Sequence, residues 1–238
     1  MEGQTNETSI LAIQNGDVNG DRINDTVYLI GKKSSDSSPL VTDISIIIKD
    51  GKNGHTYPII LKENMGYNPT LNLYNFTNEN MDNIFVAIDS GGSGGYGYYY
   101  IYSFKNNTVT EVFSSESFSN TYNYVVKYKD NYKVEVINKT LKKSFLIDIS
   151  NKGKEYLETI YNNNGTLKKD INGYVLALNN LYPVDINRDG VFELYALQRV
   201  IGLYGADTLG IIITPLYFNK NGFDLFTNQS LSIYSFDI

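Results

Sequence analysis

The chain has 238 residues, of which 42% are hydrophobic and 19% are charged, with a formal net charge of −6 at pH 7. This composition is typical of a globular protein and excludes a chain that is disordered throughout. No apolar run reaches the roughly 18 residues of a membrane-spanning helix, and the acidic charge argues against nucleic-acid binding, which needs a basic face. Because there is no cysteine and only one histidine, disulfides, thiol chemistry and metal sites built from those residues are excluded.

The sequence predicts mostly short β-strands separated by turns. Runs rich in β-branched and aromatic residues predict strands at residues 26–30, 43–49, 57–61, 83–89, 98–104, 109–113, 124–128, 132–137, 144–149, 192–198, 209–214, 216–218 and 223–226. Residues 154–161, KEYLETIY, are the one segment whose pattern predicts a helix. Short strands at this spacing indicate a β-sandwich, a barrel or a propeller.

Three nine-residue segments align without a gap, and each runs directly into a predicted strand. They are residues 17–25 (DVNGDRIND), 75–83 (NFTNENMDN) and 185–193 (DINRDGVFE). Their starts are 58 and 110 residues apart, and 110 is twice 55, so the spacing predicts about four repeat units of some 55 residues. In this interpretation the unit that starts near residue 130 has lost its loop.

The first and last of these loops carry oxygen-bearing side chains at alternate positions. Calcium takes six to eight oxygen ligands from carboxylates, amides, backbone carbonyls and water, and a tight loop turns alternate side chains inward. Loop positions 1, 3, 5, 7 and 9 therefore predict two calcium ions, with a backbone carbonyl at position 7. The predicted ligands are Asp17, Asn19, Asp21, the Ile23 carbonyl and Asp25 in the first loop, and Asp185, Asn187, Asp189, the Val191 carbonyl and Glu193 in the last.

An EF-hand does not fit these loops. It would need glutamate at position 12 and a following helix, whereas position 12 is Tyr28 in the first loop and Ala196 in the last. The segments that follow are predicted strands.

The stretches DVNGDRINDTVYLIG and DINRDGVFELYAL resemble the D-x-N-x-D-G-x-x-D calcium loops of bacterial FG-GAP/VCBS repeat proteins, whose repeats also build integrin α-subunit propellers. The resemblance covers residues 10–230. It implies a propeller-like fold, calcium in the loops and an extracytoplasmic setting. It does not imply an activity, because characterised members mostly bind or scaffold. Arg22 stands where the family pattern has glycine, and a positive φ there costs a non-glycine residue about 1 kcal/mol, so the first site is expected to be the weaker one.

The middle loop is expected to be an ordinary turn without an ion. It offers Asn75, Thr77, Glu79 and Asn83 at the alternate positions, with a single charge among them, and Asp82 falls at an outward position. Extracellular calcium modules bind at roughly 10⁻⁴–10⁻³ M, which is useful outside a cell and supports secretion. The chain starts Met1-Glu2-Gly3-Gln4 without the basic and apolar regions of a signal peptide.

The glycine-rich segment 89–97 contains two motifs that do not predict their usual functions. Ser93 lies in a G-x-S-x-G match, but the aromatic, strand-like segment after it is not the helix of a hydrolase, and the only histidine, His55, lies upstream. Gly92, Gly94 and Gly97 match G-x-G-x-x-G, again with no helix to hold a phosphate. We expect a loop between strands of one unit, with close approach of a ligand as the alternative.

The remaining candidate groups predict no site on their own. His55 is expected to be solvated, and the 21 tyrosines are expected to lie mainly in the core or in interfaces. Asp89, Asp207 and Glu135 could in principle form a glycosidase pair, but nothing in the sequence places them together.

The sequence therefore predicts an all-β, propeller-like domain over residues 10–238, preceded by a disordered segment at residues 1–9. The expected function is a calcium-binding, extracytoplasmic binding or scaffolding protein at the cell surface or outside the cell, with a protein or a glycan as partner. The alternative is a calcium-dependent enzyme acting on cell-wall or other glycans. A carboxylate pair in a cleft away from the loops would favour the enzyme.

Overall fold

The computed structural model describes residues 8–35, 37–92 and 94–233, and the chain within them is all-β, as predicted. Strands β1–β8 are Thr8–Gly16, Asp25–Lys33, Leu40–Lys49, Thr56–Ile60, Gly66–Tyr74, Asn83–Asp89, Gly97–Ser103 and Thr110–Ser114. Strands β9–β17 are Tyr124–Lys129, Lys133–Asn138, Lys143–Asp148, Asn172–Val175, Asn180–Val184, Glu193–Ile201, Thr208–Phe218, Phe223–Leu225 and Ser230–Ser232. The helices are α1 (Ser115–Thr121) and α2 (Lys154–Ile160), with a 3-10 turn at Lys105–Asn107.

The described strands form two sheets that follow each other along the chain. The first sheet has the order β1-β2-β3-β5-β6-β7-β8, with β4 also paired to β3. The second has the order β11-β10-β9-β12-β14-β15-β16, with β13 on β14 and β17 on β15. All pairs are antiparallel, so the sheets contain the consecutive meanders β1–β4, β5–β8, β9–β11 and β13–β16. A four-unit propeller is not confirmed by this arrangement of two continuous sheets.

Several elements differ from the sequence-based expectation. Residues 8 and 9, expected to be disordered, begin β1 and pair with β2, while residues 1–7 and 234–238 lie outside the described residues. Strands β1, β5, β12, β13 and β17 were not predicted, and β15 is one strand where two were expected. The helix predicted at 154–161 is confirmed as α2, but α1 was missed because its sequence, SESFSNT, is dominated by residues typical of loops.

Helix α1 is held by its cap. The Ser114 hydroxyl accepts the N–H of Ser117 at 3.4 Å, and the Ser117 hydroxyl accepts the N–H of Ser114 at 3.2 Å. This reciprocal capping box satisfies two backbone donors that would otherwise be unpaired. The helix buries Phe118 and links the two sheets.

The two sheets share one aromatic core. This core combines residues from the first half of the chain with residues from the second. The first half supplies Phe76 of the β5–β6 loop, Phe85, Tyr99, Ile101, Phe113 and Phe118 of α1, and the second supplies Leu178 of the β12–β13 connection, Leu181, Leu194, Ala196 and Leu216. Edge-to-face ring contacts cross between the sheets, with centroids 5.9 Å apart for Phe76 and Phe223 and 5.7 Å apart for Phe113 and Phe223. Such pairs add about 0.5–1.5 kcal/mol each to the burial of their area.

The glycine-rich β6–β7 loop is a fixed contact between the sheets. The Asn179 amide donates to the carbonyls of Gly94 (3.0 Å) and Gly95 (2.9 Å), and the Arg199 guanidinium donates to the Gly94 carbonyl at 3.2 Å. Gly91 has φ +73°, and a Cβ there would lie 2.1 Å from the Tyr67 ring, so glycine is required for the turn. These contacts support the interpretation of the segment as a connecting loop; Ser93 lies outside the described residues.

No helix in the described part of the chain is long and apolar enough to cross a membrane.

The second sheet contains a buried ion pair that closes the β14–β15 loop. The carboxylate of Asp207 is almost fully buried and pairs with Lys152, while the Tyr156 hydroxyl donates to it at 2.6 Å and the Leu203 N–H at 2.8 Å. Burial alone would raise the pKa of Asp207, but the hydrogen bonds from Lys152, Tyr156 and Leu203, with the charge of Lys152, bring it below its usual value. The ionised carboxylate therefore stabilises the folded state.

We expect Asp207→Asn to lower the free energy of unfolding by about 3 kcal/mol at pH 7, because it removes the buried carboxylate and leaves the partly buried Lys152 without its counter-charge. Since the folded pKa is depressed, this contribution is fully present above the unfolded pKa of about 3.9 and is lost as pH falls through the folded pKa. Urea unfolding of wild type and variant from neutral pH down to pH about 3 measures the difference. The more exposed pair Lys133–Asp148 is the control. Hydrogen bonds from Lys133 and Ser150 lower the pKa of Asp148 to about 2, but solvent screens this pair, so Asp148→Asn should cost at most about 1 kcal/mol. A difference at pH 7 no larger than that of the control would contradict the buried-pair account.

Candidate calcium loops

The three nine-residue segments occupy the same place in three hairpins. Loop position 1 is the first residue after a strand, and position 9 is the first residue of the next strand. The first loop joins β1 to β2, the middle loop joins β5 to β6, and the last joins β13 to β14. The alignment found in the sequence therefore describes three equivalent connections.

One hydrogen bond is repeated in all three loops. The side chain at position 9 accepts the backbone N–H of position 2, from Val18 to Asp25 at 3.1 Å, from Phe76 to Asn83 at 2.9 Å and from Ile186 to Glu193 at 3.0 Å. All three acceptors are buried, with relative exposures of 1%, 0% and 7%. A buried N–H without a partner costs about 1–3 kcal/mol, so position 9 stabilises the loop without any ion.

The backbone of the loops also repeats. Positions 4 and 6 have positive φ in each: Gly20 and Arg22 in the first loop, Asn78 and Asn80 in the middle loop, and Arg188 and Gly190 in the last. Arg22 has φ 68°, which is the left-handed conformation expected from the family pattern and is strained for a residue with a Cβ.

The loops contact one another in a row. The N–H of Asp82, at position 8 of the middle loop, donates to the carbonyl of Asp17, at position 1 of the first, at 2.8 Å. The N–H of Phe192, at position 8 of the last loop, donates to the carbonyl of Asn75, at position 1 of the middle loop, also at 2.8 Å. The same hydrogen bond, from position 8 of one loop to position 1 of the loop before it, thus joins the first loop to the middle loop and the middle loop to the last. The middle and last loops are therefore direct neighbours in space.

The first loop is closed by its surroundings. Its position 1 carboxylate, Asp17, accepts the N–H groups of Gly20 and Arg22, both at 2.7 Å, and Asp21 accepts that of Ile23 at 2.9 Å. The Nζ of Lys52 lies 3.8 Å from Asp21, on the β3–β4 turn. The positive charge of the Lys52 side chain therefore lies beside one of the predicted calcium ligands.

Two further predicted ligands of the first loop are buried in polar networks. The Asn19 amide accepts the N–H of Asp21 and donates to Asn107 at 3.0 Å, and Asn107 in turn donates to Asp50 at 3.1 Å. Both oxygens of Asp25 accept backbone N–H groups, one of them from Gly51 at 2.9 Å. Burial, together with the nearby charges of Asp50 and Asp21, raises the pKa of Asp25 in spite of these hydrogen bonds.

The first loop also has an acidic neighbour that the sequence pattern missed. Asp82, expected to point outward, lies over Gly16, where an added Cβ would be 2.6 Å from its carboxylate oxygen. Burial and the charge of Asp17 raise the pKa of Asp82. Only the contact between the loops shows this proximity, because 65 residues separate Asp17 from Asp82 in the sequence.

The last loop is the more open of the two predicted sites. Asp185 accepts the N–H groups of Asp189 (3.1 Å) and Gly190 (3.0 Å), and Asp189 accepts that of Val191 at 2.8 Å. Asn187 and Asp189 are exposed, and none of the predicted ligands here forms an ion pair within the described residues.

The carboxylates of the loops hydrogen-bond to their own backbone. Over residues 8–35, 37–92 and 94–233, no three acidic or histidine side chains are grouped so as to hold a metal ion together. A carboxylate oxygen carries more than one lone pair, so a backbone hydrogen bond and a cation can share it. The backbone hydrogen bonds of these carboxylates therefore do not by themselves prevent them from contacting a cation.

The middle loop lacks a comparable set of carboxylates. Its single acid at an alternate position, Glu79, pairs with Lys105 at 2.7 Å, and the position 9 amide nitrogen of Asn83 is buried without a partner among the described residues.

The spare acids do not form a glycosidase pair. Asp207 is engaged by Lys152, Glu135 pairs with Lys129 at 3.1 Å, and Asp89 lies in the other sheet and accepts the Asn68 amide at 3.0 Å.

The comparisons with known proteins lead to one family. YybI of Bacillus subtilis (strain 168), an uncharacterized protein, is 40% identical to this chain over 230 residues, which are 97% of this chain and 87% of YybI. The chain belongs to the YybI family. The family model of the YybI C-terminal domain matches residues 122–232, a range that contains every strand of the second sheet. In this YybI-family chain the last loop therefore lies inside the matched domain, and the first and middle loops precede it.

We expect Asp25→Ala to lower the free energy of unfolding by about 3 kcal/mol in the presence of EDTA, because it leaves the N–H groups of Val18 and Gly51 without acceptors. Asp25→Asn keeps one acceptor and no longer buries a charge, so it should cost less. Urea unfolding measures both, with Asp170→Ala, an exposed acid outside the loops, as the control. If Asp25→Ala is as stable as the control in EDTA, the position 9 hydrogen bonds contribute nothing net.

Proposed function

We propose that the protein is a non-enzymatic binding or scaffolding module, stabilised by calcium and acting outside the cytoplasm, with a protein or a glycan as its partner. The observation that carries the proposal is the open last loop, which presents Asp185 and Asp189 on the same backbone frame as its two counterparts. Calcium chemistry matches this donor set, because carboxylate, amide and carbonyl oxygens are the ligands that it takes.

In the last loop the side chains of Asp185, Asn187, Asp189 and Glu193, with the Val191 carbonyl, would hold the ion. Without a cation, two carboxylates about 4 Å apart repel each other by about 1 kcal/mol in bulk water and by more near a protein surface. Calcium removes that repulsion and ties the loop to the first residue of β14. Binding therefore adds to folding stability by mass action.

The first loop is proposed as a second, weaker calcium site built from Asp17, Asn19, Asp21, Asp25 and the Ile23 carbonyl. Three observations argue for weaker binding there: the ammonium of Lys52 near Asp21, the engagement of Asn19 by Asn107, and the two backbone donors on Asp25. The middle loop is proposed to hold no ion.

We further propose that the loops are of the FG-GAP/VCBS type and that the meanders β1–β4, β5–β8, β9–β11 and β13–β16 are the four repeat units, with β9–β11 the one that lacks a loop. The identical bond from position 8 of one loop to position 1 of the loop before it supports a repeat relation among the other three. An extracytoplasmic setting follows from the affinity of such modules, roughly 10⁻⁴–10⁻³ M, which requires millimolar calcium.

A second candidate function is a calcium-dependent enzyme that acts on cell-wall or other glycans. The observation in its favour is a cavity lined by the carboxylates Glu63, Glu111 and Glu116, away from the loops. Release of reducing ends from cell-wall glycan by the wild type, abolished in Glu63→Gln or Glu111→Gln, would support it over the binding module.

We expect about 10 mM CaCl₂ to raise the melting temperature above its value in EDTA by roughly 3–10 °C. At 10–100 times the dissociation constant, binding contributes about 1.4–2.7 kcal/mol, and each kcal/mol is worth about 2–4 °C in a chain of this size. The same concentration of MgCl₂ should have little effect, because magnesium demands a tighter octahedral site.

Variants of the loop acids show which loop causes the calcium-dependent rise in melting temperature. Asp185→Ala and Asp189→Ala should each remove most of it, Asp17→Ala a smaller part, and Asp170→Ala none; the quantity compared is each variant's own difference between calcium and EDTA. No shift with calcium, an equal shift with magnesium, or an undiminished shift in Asp185→Ala and Asp189→Ala would each count against the calcium site.

A further inference from the structure

A cavity of about 300 Å³ lies where β7, β8 and α1 meet the segment that joins β4 to β5. Its lining includes Ala177, which belongs to the second half of the chain, so the cavity opens at the junction of the two sheets. Pockets at such junctions are common places for small ligands. None of the residues of the three nine-residue loops (17–25, 75–83 and 185–193) lines this cavity.

One wall of the cavity is an aromatic corner. The rings of Tyr96 and Tyr98 stand nearly perpendicular, at 82°, with centroids 6.0 Å apart. Tyr100 lies on the same face of β7, is 4% exposed, and its hydroxyl accepts the N–H of Glu63 at 2.8 Å. Burial raises the pKa of Tyr98 and that of Tyr100, the latter to about 12, so the rings are neutral at physiological pH, and the face of a neutral aromatic ring carries partial negative charge.

The cavity lining also includes three exposed acidic residues. Glu63, Glu111 and Glu116 face a single cation, Lys62, among the lining residues. Lys62 is ion-paired with Glu116, and the hydrogen bond to Glu116, then the charges of Glu116, Glu63 and Glu111, raise its pKa. Within the described residues, Glu63 and Glu111 form no ion pair.

We propose that this cavity binds a small organic ammonium ion, that is, a protonated amine or a quaternary ammonium group on a short carbon skeleton. Ring faces attract a cation placed over them, and recognition of ammonium groups by aromatic residues is a known use of this interaction. The two carboxylates that lack an ion-pair partner, Glu63 and Glu111, supply the counter-charge. The proposal goes beyond the calcium-dependent module and does not rest on either loop.

The charge balance favours an ammonium ion over a neutral sugar. A sugar could stack on Tyr96 and Tyr98, but it would desolvate carboxylates without offering a charge, which is unfavourable. Lys62 places its own ammonium group beside the acidic residues of the lining, so a bound ammonium ion would have to compete with it. The ammonium group could belong to a free amine or to an amino sugar, and the probes below separate these sources.

Isothermal titration calorimetry in EDTA, with choline, cadaverine, glucosamine and glucose as probes, tests the proposal independently of calcium. We expect at least one ammonium probe to bind at millimolar concentration or tighter, and glucose to give no heat. Binding of cadaverine or choline but not of glucosamine would indicate that the natural ligand is a free amine. Binding of glucosamine alone would indicate an amino sugar. No heat with any ammonium probe, or glucose binding as tightly as glucosamine, would overturn the proposal.

Charge variants should act in opposite directions. Glu63→Gln and Glu111→Gln should each weaken binding of the ammonium probe about tenfold, whereas Lys62→Met should strengthen it several-fold by removing the competing cation. Glu155→Gln, at an exposed site on α2, is the matched control and should change nothing. Thermal melts confirm that each variant is folded. Binding that is the same in Glu63→Gln and Glu111→Gln as in wild type would place the ligand elsewhere and refute this assignment.

Discussion

The hydrogen bond from position 2 to position 9 is the constraint on which the arrangement of the three loops depends. It closes an eight-residue connection onto the first residue of the following strand, so the strand starts in a fixed register with its neighbour. The N–H donors at Val18 and Phe76 belong to residues that are themselves buried, so a water molecule could replace the acceptor only by entering the core. The backbone therefore requires a side chain with a hydrogen-bond acceptor at the start of β2, β6 and β14, whether or not a metal ion binds.

The bond between loops extends this local constraint to the whole molecule. Asp82 bonds to Asp17 within the first sheet, and Phe192 bonds to Asn75 across the two sheets. The second of these bonds lies beside Phe76, whose ring packs against Phe223 and Phe192, with centroids at 5.9 and 6.5 Å. The middle loop, which has the weakest resemblance to a calcium loop, thus has the strongest structural role, because it joins the two halves of the chain.

The sequence predicted the parts of the fold that depend on local pattern. Strand β6 was placed at its observed bounds, α2 within one residue, and the loop boundaries coincide with the strand ends, because side-chain alternation and turn residues are local signals. Strands β1, β5 and β13 were missed because their apolar residues are sparse and their pairing partners supply much of their stability. The site was predicted as a set of residues but not as an environment: Lys52 and Asp82 reach the first loop only through tertiary contacts, and the cavity at Tyr98 joins segments that are far apart in the sequence.

The three loops show three solutions to one electrostatic problem. Acids on a tight loop need compensating positive charge, or they must be replaced. The first loop has Lys52 beside Asp21 and backbone donors on every oxygen of Asp25. The middle loop has exchanged most acids for amides, and its remaining acid at an alternate position, Glu79, pairs with Lys105.

Only in the last loop are the acids Asp185 and Asp189 held without a cationic side chain in the described structure: backbone N–H groups donate to both, and the Asn187 amide donates to Asp189 at 2.9 Å. The position 9 residue there is also a glutamate, one methylene longer than Asp25. It still reaches the N–H of Ile186, and its longer side chain has more freedom to share its carboxylate with an ion. In the proposed calcium-binding function, the effect of the ion should therefore arise mainly from the half of the chain that the YybI C-terminal domain covers, because in the first loop protein groups already supply most of the compensation.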